Sequence, residues 1–224
     1  MHYLLILLLM QPQVELKDKL YGRFSPTTDV TADRVSYATE YGMRVPAIVY
    51  HRAGATINLH PGLIIIGKDK SYSYAAGIVY ARAGAVVLTF DPVGEFERDW
   101  QKRSGVALPD DGLAQRRAEL MQMDIAQGTR YLASRKDVDP KHIAVIDFPS
   151  LLTRPVALQL YEKLKFSNWT KKQILAMPEQ LGTDIPKVAR EDLKAIPDIV
   201  WDADQDAFVY EAWRKKVTSG QGQP

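Results

Sequence analysis

A serine that follows a short apolar strand is the clearest candidate for chemistry in this sequence. The strand is Ile143–Ile146, and Ser150 lies shortly after its end. In an open α/β sheet, the segment that follows the carboxyl end of a parallel strand is where ligands and catalytic groups usually lie. A serine there can act as a nucleophile if a base lies within hydrogen-bond distance of its hydroxyl. The other interpretation, which we favour, is that Ser150 caps or begins the following helix.

Histidine is the usual base for such a serine, and none of the four histidines stands where a base is needed. His142 begins the strand Ile143–Ile146, so six residues of extended chain, about 20 Å, separate it from the catalytic segment that follows the strand. His51 and His60 belong to a leading hairpin and to the loop after it, and His2 lies in the leader. The sequence therefore predicts a serine without its usual base.

The composition is that of an ordinary globular protein, and it excludes several kinds of site. Of the 224 residues, 46% are hydrophobic and 25% are charged, and the formal net charge is +2. Because no basic cluster is interleaved with aromatic residues, we expect no nucleic-acid partner. Because there is no cysteine, disulfides and thiolate sites are excluded. No histidine pair has zinc spacing and no glycine-rich loop has phosphate-binding spacing, so we expect no metal and no cofactor.

The first residues leave the location of the protein open. The apolar run Leu4–Leu9 has the length of a signal-peptide core and is too short to span a bilayer. No lysine or arginine precedes it, and no small-residue cleavage site follows. Residues 1–12 are therefore interpreted either as a signal peptide of an exported protein or as a buried terminal segment of a cytoplasmic one. We expect no stable membrane span elsewhere, and the sequence does not specify the oligomeric state.

A hairpin is predicted early in the chain. Arg34–Thr39 and Met43–His51 are rich in apolar, aromatic and β-branched residues, and they flank the short connection Glu40–Gly42. Because Pro46 cannot donate a backbone hydrogen bond, we expect its strand to lie at a sheet edge or to carry a bulge. The preceding residues, Val14–Asp33, are mixed and turn-rich, and we interpret them as a lead-in to the fold.

The middle of the chain alternates between strand patterns and helix patterns. Continuous apolar runs are typical of strands buried on both faces, and apolar residues at three- to four-residue spacing predict helices. The predicted elements are the strand Leu63–Ile66, the helix Tyr72–Ala83, the strand Ala85–Phe90, the helix Leu113–Ser134 and the strand Ile143–Ile146. We therefore predict an α/β fold with a doubly wound, mostly parallel sheet and a leading antiparallel hairpin.

The rest of the chain is expected to belong to the same domain, which we place at residues 13–217. Residues 151–195 have helical patterns broken by prolines, and a further strand is predicted at Ile199–Trp201. Phe208–Lys216 is an amphipathic last helix. Residues 218–224 are expected to be a disordered tail.

Four segments together match the motifs of a known family. They correspond to a hairpin strand, a helix-to-strand passage, a D-x-x-G-x-G-E-R loop and the approach to the nucleophile strand. The segments are Gly42–Ala47, Ala81–Val87, Phe90–Arg98, and Asp124 with Tyr131–Arg135 and Val138–Val145. Through them the sequence resembles α/β-hydrolases of the acetyl xylan esterase and dienelactone hydrolase type, over roughly half of the chain. The resemblance implies an α/β-hydrolase fold and hydrolysis of carboxylic esters.

The catalytic motif is where the sequence departs from this family. The family's nucleophile elbow reads G-x-S-x-G directly after the strand. Here Asp147 stands where the first glycine belongs, Pro149 where the serine belongs and Leu151 where the last glycine belongs. The φ angle of proline is locked near −65°, so Pro149 cannot adopt the positive φ of an elbow nucleophile. Ser150 lies one position too late.

The resemblance also implies positions for two supporting groups. Lys68 follows the first buried strand at the family's oxyanion segment, so its backbone N–H would be the oxyanion donor. Ile66 replaces the histidine of that segment. Asp204 or Asp206 would be the acid that orients the base. For this acidic cluster we favour another interpretation, in which it is a solvated turn before the last helix.

Charged residues in the loop after the strand Ala85–Phe90 are the last candidates. Glu95, Glu97 and Arg98 lie close together in this loop. We expect them to form an ion pair that stabilises the loop. The alternative is that they line the cleft at the carboxyl end of the neighbouring strand.

Two functions are predicted, in order of preference. The first is a catalytically degenerate α/β-hydrolase-fold protein, related to carboxylic-ester hydrolases, that binds a small ester or carbohydrate or serves as an interaction module. The second is an active serine esterase or deacetylase of acylated carbohydrate or small esters, which uses Ser150 with a non-standard base. A third possibility is that the part after Phe148 is shortened or rearranged, which makes the fold truncated relative to the family.

Overall fold

The computed structural model of the protein describes residues 14–39, 44–54, 59–98 and 113–147. In these residues, strands form one sheet and two α-helices pack on it. The strands are β1 (Lys19–Thr27), β2 (Val30–Ala38), β3 (Arg44–Arg52), β4 (His60–Ile66), β5 (Val86–Phe90) and β6 (Val138–Asp147). The helices are α1 (Tyr74–Arg82) and α2 (Leu113–Ser134), and a short 3-10 turn covers Phe96–Arg98.

The strands lie in the order β1-β2-β3-β5-β4-β6. β1, β2 and β3 are antiparallel to one another, and β3 is also antiparallel to β5. β4 is parallel to both β5 and β6. The chain therefore crosses over through α1 between β4 and β5 and through α2 before β6, as parallel strands require. As a result, the carboxyl ends of β4, β5 and β6 meet at one edge of the sheet.

Successive side chains of β4 point to opposite faces of the sheet and enter two separate cores. Leu63 and Ile65 belong to the core that α1 covers. Ile64 belongs to the core on the other face, where α2 contributes Tyr131 and Leu132. Because both faces of β4 are covered by a helix, its sequence is a continuous apolar run rather than an alternation of apolar and polar residues.

The middle elements lie where the sequence predicts them. α2 has the predicted bounds, Leu113–Ser134. α1 begins at Tyr74 and β5 at Val86, each within two residues of the predicted start. β6 is longer than predicted because it already begins at Val138, where its register with β4 is irregular. The predicted hairpin is confirmed as β2 and β3.

The lead-in to the fold contains a strand that the sequence does not predict. Within Val14–Asp33, β1 pairs with β2 over most of its length. Its register shifts twice, once around Gly22 and once before Thr27. Because these irregularities break the alternation of side chains, and because Pro26 lies within the strand, the sequence pattern looks like turns rather than like a strand.

The expectation for Pro46 is wrong. Its strand, β3, lies inside the sheet between β2 and β5, and its register with β2 shows no bulge. The carbonyl oxygen of Pro46 accepts a hydrogen bond from the backbone N–H of Asp91, which is the residue after β5. The missing N–H of Pro46 therefore faces Asp91, where β5 has just ended, so the proline removes only the last hydrogen bond between β3 and the chain after β5.

The predicted α/β fold is present, but the sheet is mixed in the residues that the structure describes. The leading hairpin becomes three antiparallel strands because β1 joins it, and only β4, β5 and β6 are parallel. A doubly wound, mostly parallel sheet therefore stays a prediction. The predictions for residues 1–12, 151–195 and 218–224 lie outside the described residues. No helix in the described ranges is both long and apolar enough for a membrane span.

Replacing Gly77 with alanine is expected to lower the free energy of unfolding by about 1–3 kcal/mol. A Cβ atom on Gly77 would lie 2.6 Å from two ring atoms of Tyr50. Tyr50 is fully buried and packs edge-on against Tyr74, so its ring cannot move away freely. Urea unfolding measures the loss, and Ala75→Ser, at an exposed position of the same helix, is the control with an effect within about 0.5 kcal/mol. A Gly77→Ala variant as stable as the native protein would contradict this packing.

Candidate functional site

Three segments of chain share the edge where β4, β5 and β6 end. Ile66, the last residue of β4, is paired with Asp147, the last residue of β6. Ile65 is paired with Thr89, which precedes the last residue of β5, Phe90. Because neighbouring strands lie about 4.8 Å apart, the segments that follow these three strands start side by side. We call this edge the carboxyl edge, and it is where α/β sheets place their ligand sites.

Asp69 shapes the loop between β4 and α1. Its carboxylate accepts hydrogen bonds from the backbone N–H of Tyr72, at 2.8 Å, and from the hydroxyl of Ser71. Its carbonyl oxygen accepts one from the backbone N–H of Ser73, at 3.2 Å. At the start of the loop, Gly67 packs so closely that a Cβ atom there would collide with the hydroxyl of Ser73. The loop is therefore fixed before α1 begins.

Lys68, the predicted oxyanion donor, lies in this loop at the carboxyl edge, and its side chain is exposed. Ser150, Asp204 and Asp206 lie outside the described residues. The catalytic roles of these three residues, and of the backbone N–H of Lys68, therefore stay predictions.

A buried ion cluster joins this loop to the loop after β5. Lys70 has no exposed surface, and its ammonium group donates hydrogen bonds to Oδ2 of Asp91 and, at 2.5 Å, to Oε2 of Glu97. The backbone N–H of Lys70 donates to Oδ1 of Asp91 at 3.0 Å. The ring centroid of Phe96 lies 4.5 Å from the ammonium group, at a distance typical of a cation–π contact. One lysine therefore holds two carboxylates of the second loop, those of Asp91 and Glu97.

Two opposing effects act on the carboxyl group of Asp91. Burial raises its pKa to about 6, while the charge and hydrogen bonds of Lys70 act in the opposite direction. The nearby carboxylate of Glu97 adds to the rise, because two negative charges share one cation. The ionised form of Asp91 therefore depends on Lys70.

The loop after β5 is tightly folded. Phe96 has a φ of 44°, which a residue with a side chain rarely adopts. The backbone N–H of Glu95 donates to the carbonyl oxygen of Pro92 at 3.0 Å. Gly94 and Arg98 close the turn with a backbone hydrogen bond, also at 3.0 Å. The fold around the loop thus holds Phe96 in a conformation that costs on the order of 1 kcal/mol.

A second buried ion pair ties the same loop to α2. Nη1 of Arg98 donates hydrogen bonds to Oδ2 of Asp124 and, at 3.1 Å, to the carbonyl oxygen of Asp91. Both side chains are buried, and burial raises the pKa of Asp124 against the opposing effect of Arg98. The hydroxyl of Tyr37 donates to the carbonyl oxygen of Asp124 at 3.2 Å, so β2 is joined to the same point of α2.

These two ion clusters are buried supports of the carboxyl edge. The expected ion pair among Glu95, Glu97 and Arg98 is wrong about the partners, because Glu97 pairs with Lys70 and Arg98 with Asp124. Sequence reasoning missed Lys70 altogether. A signal that could have found the cluster is a charged residue, such as Asp91, placed directly after a buried apolar strand. In the described residues, no group of histidine and carboxylate side chains is arranged to hold a metal ion.

The described histidines lie away from the carboxyl edge. His60 is the first residue of β4. His51 lies near the end of β3, which is antiparallel to β5, and so it lies at the amino end of the parallel strands. His142 is 2.5 Å from a carboxylate oxygen of Asp139, and about 17 Å of extended strand separates it from Asp147. None of these three rings can reach a ligand at the carboxyl edge.

Asp33 is the centre of another ion cluster, which lies away from the carboxyl edge. Its carboxylate accepts two hydrogen bonds from Arg23, at 2.6 and 3.2 Å, and lies 3.4 Å from Nε2 of His51. Arg135 is 3.8 Å away. Burial alone would raise the pKa of Asp33, but the nearby ring of His51 and the hydrogen bonds and charge of Arg23 lower it to about 2. This cluster joins β1, β2 and β3 to the end of α2.

Replacing Asp33 with asparagine is expected to cost about 2 kcal/mol of stability at pH 7. The folded-state pKa, about 2, lies below the ordinary value of 3.8. The ionised carboxylate therefore stabilises the fold above about pH 4, and this contribution is lost as the pH falls from 3.8 towards 2. Urea unfolding at about pH 7 and about pH 3 tests this difference. The gap between native and variant proteins should shrink at the lower pH, and an equal gap at both would contradict the argument.

The comparisons with known proteins find structures but no family. No protein-family profile matches the sequence, and no curated protein matches it. The chain is similar to an acetyl xylan esterase from Paenibacillus sp. R4, with 17% identity and a TM-score of 0.46 over 63% of this chain and 48% of that one. It is also similar to acetyl xylan esterase 1 from Thermoanaerobacterium sp. JW/SL YS485, with 20% identity and a TM-score of 0.47 over 59% of this chain and 44% of that one.

A third similar structure is a glucuronoyl esterase from Solibacter usitatus, with 12% identity and a TM-score of 0.44 over 61% of this chain and 46% of that one. The chain therefore spans less than half the length of each of these three structures. The described fold is similar to part of each of these three solved esterase structures.

Proposed function

We propose that this chain binds a small ester or an acylated carbohydrate at the carboxyl edge of its sheet and does not hydrolyse it. The observation that carries the proposal is the position of the described histidines, because histidine is the usual base in such hydrolysis. The described histidines lie away from the carboxyl edge, as their places in β3, β4 and β6 require. A serine hydrolase needs its nucleophile and its base within about 3 Å of each other.

The carboxyl edge retains what binding requires. The loop that holds Lys68 is fixed by Asp69 and by the ion cluster of Lys70. The loop after β5 is fixed by the same cluster and by Arg98. Groups on such loops lose little conformational freedom when a ligand binds, so that more of the interaction energy appears as affinity. An exposed lysine and backbone N–H groups are suitable donors for the carbonyl oxygen of an ester.

The residues after β6 support the loss of catalysis. Pro149 occupies the position of the elbow serine, and Ser150 follows it by one residue. The fixed φ of proline is incompatible with the positive φ that exposes an elbow nucleophile. The ligand class, an ester of a small alcohol or of a carbohydrate, comes from the resemblance of the sequence to acetyl xylan esterases.

Chemical labelling and turnover test the proposal on the full 224-residue chain. We expect no stoichiometric labelling of Ser150 by a fluorophosphonate and no hydrolysis of p-nitrophenyl acetate above that of Ser150→Ala. Saturation-transfer NMR should at the same time show binding of acetylated xylobiose, with no release of acetate. Stoichiometric labelling together with turnover that disappears in Ser150→Ala would overturn the proposal, as would the absence of any binding.

The alternative is an active serine esterase. In it, Ser150 is the nucleophile, the backbone N–H of Lys68 stabilises the oxyanion, and Asp204 or Asp206 supports a non-standard base. The pairing of Ile66 with Asp147 favours this alternative. Because of this pairing, the segment that leads to Ser150 begins beside the loop that carries Lys68. The labelling experiment distinguishes the two functions, because only the active enzyme loses its turnover in Ser150→Ala.

A further inference from the structure

Arg34 is a partly buried arginine in the middle of β2 whose partner is an aromatic ring and not a carboxylate. Ala32, two residues before it, belongs to the core that α1 covers, so the side chain of Arg34 lies on the same face of the sheet. We call this the α1 face. No hydrogen bond or ion pair involves the guanidinium group in the described ranges, and its Nε atom is buried without a partner. A buried N–H group without an acceptor costs free energy, which a ligand with an acceptor oxygen recovers.

The ring of Phe24 in β1 holds this guanidinium group in place. The central carbon atom of the group, Cζ of Arg34, lies 5.0 Å from the ring centroid, a distance typical of a cation–π contact. Phe24 itself packs against the core that α1 covers, so the ring is supported by the fold. A contact with a ring does not satisfy the N–H groups of a guanidinium group as a carboxylate does. Arg34 is therefore positioned by the protein while its hydrogen-bond donors lack acceptors.

β1 leaves space beside this group. Gly22 in β1 is paired directly with Arg34, and paired residues of neighbouring strands present their side chains on the same face. A Cβ atom on Gly22 would meet nothing within 4 Å. A small group therefore fits over Gly22, next to the guanidinium group of Arg34.

The side chains around this position add positive charge. Ser36, two residues after Arg34, lies on the same face, and its hydroxyl accepts hydrogen bonds from Nε and Nη2 of Arg44, at 2.8 and 2.6 Å. Lys19 in β1 is paired with Ser36. Asp33 lies on the opposite face, in the cluster with Arg23. Among the described residues, no carboxylate forms an ion pair with Arg34, Arg44 or Lys19. This part of the α1 face therefore attracts anions.

We infer that Arg34 binds the carboxylate or phosphate group of a small anionic ligand over Gly22. The N–H groups of a guanidinium group form a planar fork that matches two oxygen atoms of such a group. The site lies on the antiparallel part of the sheet, with β3 between β2 and β5, so it is distinct from the three segments of the carboxyl edge. The inference therefore goes beyond the proposed function and does not depend on it.

NMR titrations of the full chain, which observe the Nε–H signals of its arginines, test this site. The probes are inorganic phosphate and glucuronate, and glucose is the matched control because it has a hydroxymethyl group where glucuronate has its carboxylate. The ionic strength is kept constant with chloride, so that screening does not change. We expect the Nε–H signal of Arg34, identified by its loss in Arg34→Gln, to shift to saturation with at least one anion and not with glucose. Saturation with only one of them distinguishes a phosphate ligand from a carboxylate ligand.

Variants separate a site at Arg34 from a general effect of positive charge. Backbone amide shifts report the affinity in each variant. Arg34→Lys keeps the charge and loses the planar fork, so we expect binding about tenfold weaker or less. Phe24→Leu keeps an apolar side chain and removes the ring that positions Arg34, and it should also weaken binding. Arg52→Gln removes an exposed cation at the end of β3 and should leave the affinity within about twofold of the native value.

Two results would overturn the inference. One is a signal of Arg34 that does not approach saturation with either anion, because the guanidinium group then binds no ligand of this class. The other is equal weakening in Arg34→Lys and Arg52→Gln, which would assign the binding to the overall charge of the chain. A thermal melt of each variant checks that the fold is retained. Binding of acetylated xylobiose is measured separately, so that failure of this site and failure of the proposed function are distinguishable.

Discussion

Replacing Lys70 with methionine is expected to lower the free energy of unfolding by about 3–5 kcal/mol. The ammonium group of Lys70 is fully buried and is bonded to the carboxylates of both Asp91 and Glu97. Methionine fills nearly the same volume, so the variant loses the charge and little packing. Two buried carboxylates then face each other without a cation, and this uncompensated charge is the reason for the large loss. Urea unfolding, monitored by circular dichroism, measures it.

The chain offers a matched control for this variant. Lys68 lies two residues earlier in the same loop, and its side chain is exposed. Lys68→Met makes the same chemical change without burying a charge, so we expect a change in stability within about 0.5 kcal/mol. If the two variants lose the same amount, the loss comes from the loop and not from the cluster of Lys70 with Asp91 and Glu97.

The loss in Lys70→Met should depend on pH. Burial already raises the pKa of Asp91 to about 6 in the native protein, and removal of Lys70 raises it further because Lys70 favours the ionised form. A carboxyl group whose folded-state pKa is raised lowers the stability of the fold as the pH rises above its ordinary pKa of 3.8, and the loss is complete above the folded-state pKa. The deficit should therefore be largest at about pH 8 and should shrink at about pH 5. A deficit that is the same at both would show that the carboxylates are not its cause.

The strands and helices that could be predicted are those whose signals are local. Leu63–Ile66 is a continuous apolar run because both of its faces are covered, and this property is visible in four consecutive residues. α2 has its predicted bounds because its apolar residues recur at helical spacing over 22 residues. β1 could not be predicted because its bulges and Pro26 remove the alternation that marks a strand. The sequence pattern therefore predicts the elements whose side chains follow a regular spacing, whether or not they are the most stable ones.

The supports of the site could not be predicted because their partners are far apart in sequence. Lys70 and Asp91 are 21 residues apart, and Arg98 and Asp124 are 26 apart. Lys70 and Asp91 come together because β4 pairs with β5, so that the loops after these two strands begin side by side. In the sequence, each of these side chains has the character of a surface residue, because charged residues are rarely buried unless they are paired. Only the fold supplies the partner.

The exposed side chains of Lys68 and Tyr72 differ in how far the sequence could predict their positions. The sequence places Lys68 at the oxyanion segment through its resemblance to a family, and the fold puts it at the carboxyl edge. Tyr72 carries no such signal, since in the sequence it belongs to a predicted helix. It lies before α1 because the loop is capped by Asp69, whose carboxylate accepts a hydrogen bond from the backbone N–H of Tyr72. The capping residue therefore determines that this ring is presented at the edge of the sheet.

Removing either partner of the ion pair between Arg98 and Asp124 is expected to cost about 3–5 kcal/mol, whereas removing both should cost much less than the sum. Arg98→Met leaves the buried carboxylate of Asp124 without a cation, and Asp124→Leu leaves a buried guanidinium without its carboxylate. The double variant leaves neither charge and fills the site with apolar side chains of similar size. A double-mutant cycle on urea unfolding measures the difference, which we expect to exceed about 2 kcal/mol.

The same cycle tests whether this ion pair positions the carboxyl edge. Arg98 also donates a hydrogen bond to the carbonyl oxygen of Asp91. Without Arg98, the loop after β5 is no longer tied to α2, even if the double variant recovers the stability of the native protein. The double variant should therefore unfold at nearly the native urea concentration but bind acetylated xylobiose more weakly, because the loop is no longer held in place. Native affinity in a stable double variant would show that Arg98 and Asp124 support the fold without positioning the site. Additive losses in the two single variants would show that the two charges are not coupled across the interface between the loop and α2.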